Sequence, residues 1–310
     1  MAKLMRNMLL MAKIQPVANT DAAPVAATNS MLARGIAPQP VVAEFADRAL
    51  VKPYFGHTGQ VQVAVYSTIE FEVELAGAGA AGTAPKYGPL LRACGFSETI
   101  TASTKVDYAP ITSGQEAVTI HCFLDGVKHA MTDCKGTVSF ALNARGIPVM
   151  RYIFTGYHVA PTDTANPSGA DYTGFTAPLA INKANTPTFT LHGAAVKATT
   201  LSIDMANEIN YRNYIGAESI AFTNRLPVGQ ATFEYDTIAT KDWWTIAKNG
   251  TLAALSLVHG TTAGNIVQID APKVQIISPS LSDDTGIAML SVNMALQPNA
   301  GNDEILISVK

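Results

Sequence analysis

The sequence predicts a mainly β protein, α+β in detail: two tandem, mainly β units, each with one short flanking helix. Three observations predict this class. Apolar and polar residues alternate with period 2, glycine-centred turns punctuate the alternation, and a set of landmarks occurs twice in one order. Ala46-Asp47-Arg48-Ala49-Leu50-Val51-Lys52-Pro53-Tyr54-Phe55-Gly56 aligns without gaps on the eleven residues from Ala206 to Gly216, which end Tyr214-Ile215-Gly216. Further on, Phe71-Glu72-Val73-Glu74 matches Phe233-Glu234-Tyr235-Asp236, and Lys86 to Gly95 matches Lys241 to Gly250. Leu124-Asp125-Gly126 matches Val258-His259-Gly260, and Gly146-Ile147 matches Gly286-Ile287.

Each element follows from its residues. Ile69, Phe71, Val73 and Leu75 alternate with Glu70, Glu72 and Glu74, a strand with one acidic face. Tyr87–Ala93 has apolar residues at helical spacing, with Pro89 in its first turn and Gly95 beyond its end. Val118–Leu124 and Val127–Met131 flank Asp125-Gly126, a two-residue hairpin signal. Val138–Leu142 and Ile147–Phe154 form the next β pair. In the second half, Thr232–Ile238 reads as the strand and Asp242–Lys248 as the helix, closed by Asn249-Gly250. Leu252–Val258, Ile266–Ile269, Val274–Ile277, Ala288–Leu296 and Glu304–Val309 follow as strands. The Thr-, Ala-, Asn-, Gly- and Pro-rich stretch between Pro161 and Pro187 reads as a connector.

Composition narrows the function classes. Only 15% of the 310 residues are charged, against about 25% in an average soluble domain. A net charge of −3 excludes a protein that wraps nucleic acid by neutralising phosphates. No apolar run reaches the roughly 18 residues of a membrane-spanning helix, and the Met8-Leu9-Leu10-Met11 run is too short for a secretory h-region. Three cysteines are too few for a disulfide framework and favour a reducing compartment.

The residue types that carry chemistry do not assemble into a catalytic pattern. His121, Cys122, His129 and Cys134 lack the Cys-x-x-Cys or His-x-x-x-His spacing of structural zinc sites, so neither a metal nor a cofactor is expected. Phosphate-loop, dinucleotide and nucleophile-elbow motifs are missing from the sequence. Trp243 and Trp244 are adjacent on a helix, so they cannot both face one ligand. The acidic residues Glu70, Glu72 and Glu74, with Glu234 and Asp236 in the second half, are the candidates for function. Lining a channel, such a face would repel a passing polyanion and keep it from sticking.

The segment Lys86-Tyr87-Gly88-Pro89-Leu90-Leu91-Arg92-Ala93-Cys94-Gly95, followed by Val118–Gly126, Gly136-Thr137-Val138-Ser139-Phe140 and Gly146-Ile147-Pro148, resembles the tail tube (major tail) proteins of long-tailed bacteriophages. The resemblance is close over residues 60–160 and rests on order and pattern elsewhere. It implies two tandem tail-tube-like β-sandwich or barrel domains in a non-enzymatic virion protein, assembled in the host bacterial cytoplasm, whose sheets join into rings. The rings stack into a tube, meet other tail proteins at its ends, and pass DNA without binding it specifically.

The expected organisation is an N-terminal arm (1–35), a first tube-like domain (36–160), a connector (161–190) and a second such domain (191–310). Two copies per chain predict a homo-oligomeric ring of three chains with pseudo-sixfold symmetry. Were the second half an outward decoration, six chains per ring would follow. The competing class is a two-domain β-sandwich that binds receptors or carbohydrate, or decorates the virion, through Trp243, Trp244 and Tyr235.

Overall fold

The computed structural model describes residues 2–310. The first half comprises β1 (Met8–Ile14), α1 (Ala26–Asn29), β2 (Ser30–Met31), β3 (Arg34–Asp47), β4 (Gln60–Glu74), α2 (Gly88–Ala93), β5 (Phe96–Thr101), β6 (Lys105–Pro110), β7 (Val118–Leu124), β8 (Val127–Asn143), β9 (Val149–His158) and β10 (Thr162–Asp163). The second comprises β11 (Thr188–Leu191), β12 (Ala194–Ala195), β13 (Ala198–Asp204), β14 (Asn207–Tyr214), β15 (Ala217–Arg225), β16 (Val228–Glu234), α3 (Trp243–Asn249), β17 (Leu252–His259), β18 (Val267–Asp284), β19 (Ile287–Gln297) and β20 (Leu306–Val309).

Local chemistry places the turns where the sequence predicts them. Asp125 (φ 44°) and Gly126 (φ 88°) both take the left-handed conformation that a type I′ hairpin between β7 and β8 requires. Asp242 caps α3 by accepting the Thr245 N–H at 2.9 Å, and Gly250 ends it in the left-handed region. Several expected strands fuse. Val127–Met131 and Val138–Leu142 are one strand, β8; Ile266–Ile269 and Val274–Ile277 are parts of β18. The intervening residues stay paired across β-bulges, at Asp133 in β8, where φ is positive, and between Ala271 and Val274 in β18.

Eight strands form one continuous antiparallel sheet in the order β3-β4-β9-β8-β13-β16-β19-β18. The long strands β8 and β18 also turn into a second layer, where their first halves pair with β7 and β17. Beyond β7 lies β1, and beyond β17 lies β11. Strand β20 joins β18 to the β5–β6 hairpin, so the C-terminal strand is tied to the first half. A single hydrophobic core lies between the layers: Phe71, Val73, Phe140 and Tyr152 from the large sheet meet Leu90 and Leu91 of α2 and Ile120 and Cys122 of β7. It continues into the second half through Leu201, Ile203, Phe233, Trp243 and Leu257.

The second half repeats the pairings of the first. The ladder β7-β8-β9-β4 is answered by β17-β18-β19-β16, and β1 on β7 by β11 on β17. The Leu75 N–H donates to Pro148 O at 2.9 Å, and the Tyr235 N–H donates to Ala288 O at the same distance. This bond pair sets Glu74 against Glu234, so the alignment of Phe71 with Phe233 read from the sequence is two residues out of step.

The segment expected as an N-terminal arm folds into the sheet. Leu10 and Ala12 of β1 enter the main core, while Leu9 and Met11 bury the opposite face with Ala26 and Phe123. A strand apolar on both faces lacks the alternation that betrays a half-buried one. What projects instead are two hairpins. The β14–β15 hairpin leans back on the first half, with Tyr211 against Tyr66 (ring centroids 5.2 Å apart) and the Lys135 ammonium donating to Ile220 O. Asn207 donates to Cys94 O at 2.8 Å, and Phe222 packs where any side chain at Gly95 would have to sit. At its base, the buried Arg225 guanidinium pairs with Glu304 at 3.0 Å. The outer β3–β4 hairpin ends in a loop with exposed Leu50, Val51, Tyr54 and Phe55, and the β14–β15 turn likewise exposes Tyr214 and Ile215.

Phe140 is fully buried at the junction of the two halves. Phe140→Ala is expected to cost about 3–5 kcal/mol of stability, read as a shifted denaturant midpoint with an unchanged slope.

Candidate functional site: the polar face of the large sheet

Because side chains alternate across a strand, the eight-stranded sheet has two faces of opposite character. One carries the core. Rows of directly paired residues cross the other. One row runs Arg34, Glu72, Arg151, Ser139, Asp204, Val228, Ala295, Gln275. The next runs Glu74, Val149, Ala141, Ser202, Gln230, Asn293, Ile277. Small hydroxyl, amide and methyl side chains dominate its middle, with Asn143, Thr200, Thr232 and Ser291 beyond them.

Four of the five acids expected to share a face do so: Glu70, Glu72 and Glu74 on β4, and Glu234 on β16, each beside a residue that is buried on the opposite face. Asp236 does not. It lies past the end of β16, where its carboxylate accepts the Thr237 N–H. The face is also less bare than a row of acids predicts. Arg151 bonds to Glu70 at 2.6 Å, Arg34 to Glu72 at 2.8 Å and Lys197 to Glu234 at 2.6 Å. Sequence reasoning missed these cations because their partners lie up to 81 residues away along the chain. The pairs are solvent-exposed, so they neutralise charge locally while adding little stability.

Other candidates resolve into packing. The His121 ring bonds to Asp21 at 2.9 Å, and burial holds both His121 and His129 below the usual imidazole range. Burial raises the Cys122 thiol to about 11 and pushes Cys94 and Cys134 up as well, which keeps all three protonated. Among the described residues, no three His, Cys, Asp or Glu side chains converge as metal ligands. Trp243 is buried against Phe233, and the Trp244 indole donates to the Tyr235 hydroxyl at 2.9 Å. An aromatic platform for sugars would need both indoles open. A hollow of about 610 Å³ is lined mainly by apolar residues such as Leu142, Ile181, Phe189 and Leu257. Among the described residues, no helix is long and apolar enough to cross a membrane.

No curated protein matches the chain. The family described as phage tail tube protein matches residues 6–306, nearly the whole length. A polar sheet face without catalytic geometry suits that match, and the chain belongs to the phage tail tube proteins, structural and non-enzymatic components of the virion tail that assemble as oligomers with other tail proteins.

Proposed function

We propose that this chain forms the wall of a tail tube as a ring of three, each chain supplying two copies of one tube domain, and that its polar sheet face lines the channel for DNA. The observation that carries the reading is the eight-stranded sheet. It consists of two four-strand sets with the same pairings, joined edge to edge, and it still has an unpaired edge at each end. An isolated chain with two open edges invites association. Eight strands at about 4.8 Å spacing span roughly 38 Å, so three chains give a circumference near 115 Å and a backbone diameter near 37 Å, larger once strands tilt. Such a bore admits a DNA duplex.

The lining would act by not binding. Glu70, Glu72 and Glu234 each have a cationic partner, while Glu74 and Asp204 add a modest negative excess among hydroxyl and amide groups. Phosphates meet neither a basic patch that would hold them nor a strong barrier. Ring-to-ring contact falls to the β3–β4 loop, whose Val51 and Phe55 are almost wholly exposed. The N-terminal segment, being folded into the sheet, is not needed for it.

End-on averages of the purified protein by electron microscopy test the assembly. Stacked hollow rings with threefold modulation of a sixfold outline are expected; strict sixfold rings would discard the three-chain count, and persistent monomers would discard the tube. Phe55→Asp, at an exposed loop position, should leave single rings and shorten or abolish stacks in the same images. Exchanging Glu70, Glu72 and Glu234 for lysine should leave rings intact and slow DNA release from particles carrying the variant. Release at the normal rate would reject this face as the lining.

A further inference from the structure

The seam inside the chain is a template for the seam between chains. Strand β13 docks on β8 with Asp204 opposite Ser139, Ser202 opposite Ala141 and Thr200 opposite Asn143. The core side of this seam is sealed by Phe140, Leu142, Leu201 and Ile203, all buried. The pairings shared by the two halves identify the counterparts. On β18, Ser280 pairs with Ser291 as Ser139 pairs with Arg151, and Ser282 pairs with Met289 as Ala141 pairs with Val149. The docking strand β13 corresponds to β3, which pairs with β4 as β13 pairs with β16.

Neither counterpart has a partner here. From Pro279 to Asp284, β18 is paired only through β19, and β3 is paired only with β4. Leu281, the equivalent of the fully buried Phe140, is 57% exposed. An apolar residue placed where its twin is sealed marks a surface that is covered in the assembly.

We infer that the partner of this edge is β3 of a second copy of the chain, antiparallel to β18, with Ser280 opposite Gln39, Ser282 opposite Ala37, and Asp284 beside Arg34. The inference rests on the tube reading and fixes its register. Backbone chemistry fits this pairing. Asp284 and Ile287 flank the two-residue Thr285-Gly286 turn, so their peptide groups face each other, and those of Leu281 and Asp283 point outward. In the template, Met205, next to Ile203 along the outward-facing set, donates its N–H to Val138 O. The corresponding outward positions of β3 are Ile36 and Pro38, while the Pro40 carbonyl turns back to accept the Ser67 hydroxyl of β4.

The seam therefore has three backbone bonds available: Leu281 N–H to Pro38 O, Asp283 N–H to Ile36 O, and Ile36 N–H to Asp283 O. The prolines remove donors from the edge of β3, which blunts pairing of β3 with another β3. The N–H groups of Leu281 and Asp283 supply what that edge lacks. Side chains agree with the register too, since it sets the Asp284 carboxylate against a guanidinium while Ala37 and Ser282, both small, meet directly.

A cysteine pair reads the register. Residues directly opposite at a non-hydrogen-bonded antiparallel site have Cα atoms about 4.5 Å apart, within disulfide range, whereas the diagonal neighbour lies about 7–8 Å away. The full chain carrying Ala37→Cys and Ser282→Cys should, on mild oxidation of assembled protein, convert to covalent closed trimers on a non-reducing gel and return to monomers with reductant. Ala37→Cys with Ser280→Cys should stay largely monomeric. The native side chains at these three positions are small and exposed, and tube formation in micrographs of each variant reports folding. Tubes that form without cross-linking, or that cross-link better through the slipped pair, would overturn the seam and leave the tube reading standing. Wild-type protein that forms no rings would overturn the reading itself. A ladder running on to six chains would keep the seam and reject closure at three.

Discussion

Everything in this molecule depends on the edge-to-edge union of β8 and β13. That union turns two four-stranded sets into one sheet and gives the sheet two continuous faces of opposite chemistry. It draws the cores of both halves into one hydrophobic cluster through Phe140, Leu142, Leu201 and Ile203. It also explains why β8 is so long. The strand must serve β7 in the second layer, then bend at Asp133 to serve β9 and β13 in the large sheet. A bulge supplies the bend without breaking the ladder. β18 repeats the device, with one side of its second half left open.

The polar face follows from the same constraint. A strand sealed on one side by core leaves its alternate residues free to be chosen for solvent, and period 2 carries that freedom across all eight strands. Short polar side chains occupy the middle; Glu72, Glu70 and Glu234 sit in pairs with Arg34, Arg151 and Lys197, and Glu74 and Asp204 add a modest negative excess. An uncompensated acidic wall would repel DNA, and a basic wall would trap it. Paired charges among hydroxyls and amides do neither, which is the behaviour that the proposed lining requires. Low overall charge fits the rest of the surface, much of which an assembled tube would bury.

Much of this was legible in the residues. The hairpin at Asp125-Gly126, the capped helix from Asp242 to Gly250 and the alternating strand of Glu70, Glu72 and Glu74 are local signals with local causes, and they stand where the chain predicts them. The family resemblance rests on such segments as well. Strand β1 was illegible because burial on both faces removes alternation. The β14–β15 hairpin was missed because its residues are largely polar and exposed, so its strands reflect pairing with each other and docking on Tyr66 and Gly95 rather than a hydrophobic pattern.

By itself the sequence determined the β class, the two helices with their caps, the turns, and which residues of β4 share a face. These are properties of neighbours along the chain, decided by side-chain period and by the backbone preferences of Gly, Asp and Pro. Only the tertiary structure decided that Arg151 neutralises Glu70, that Asp236 leaves the face, that the N-terminal segment is a buried strand, and that the two halves share one sheet. Those outcomes depend on strand order and register between residues tens to hundreds of positions apart. Alternation constrains which way a side chain faces, but not which strand lies beside it.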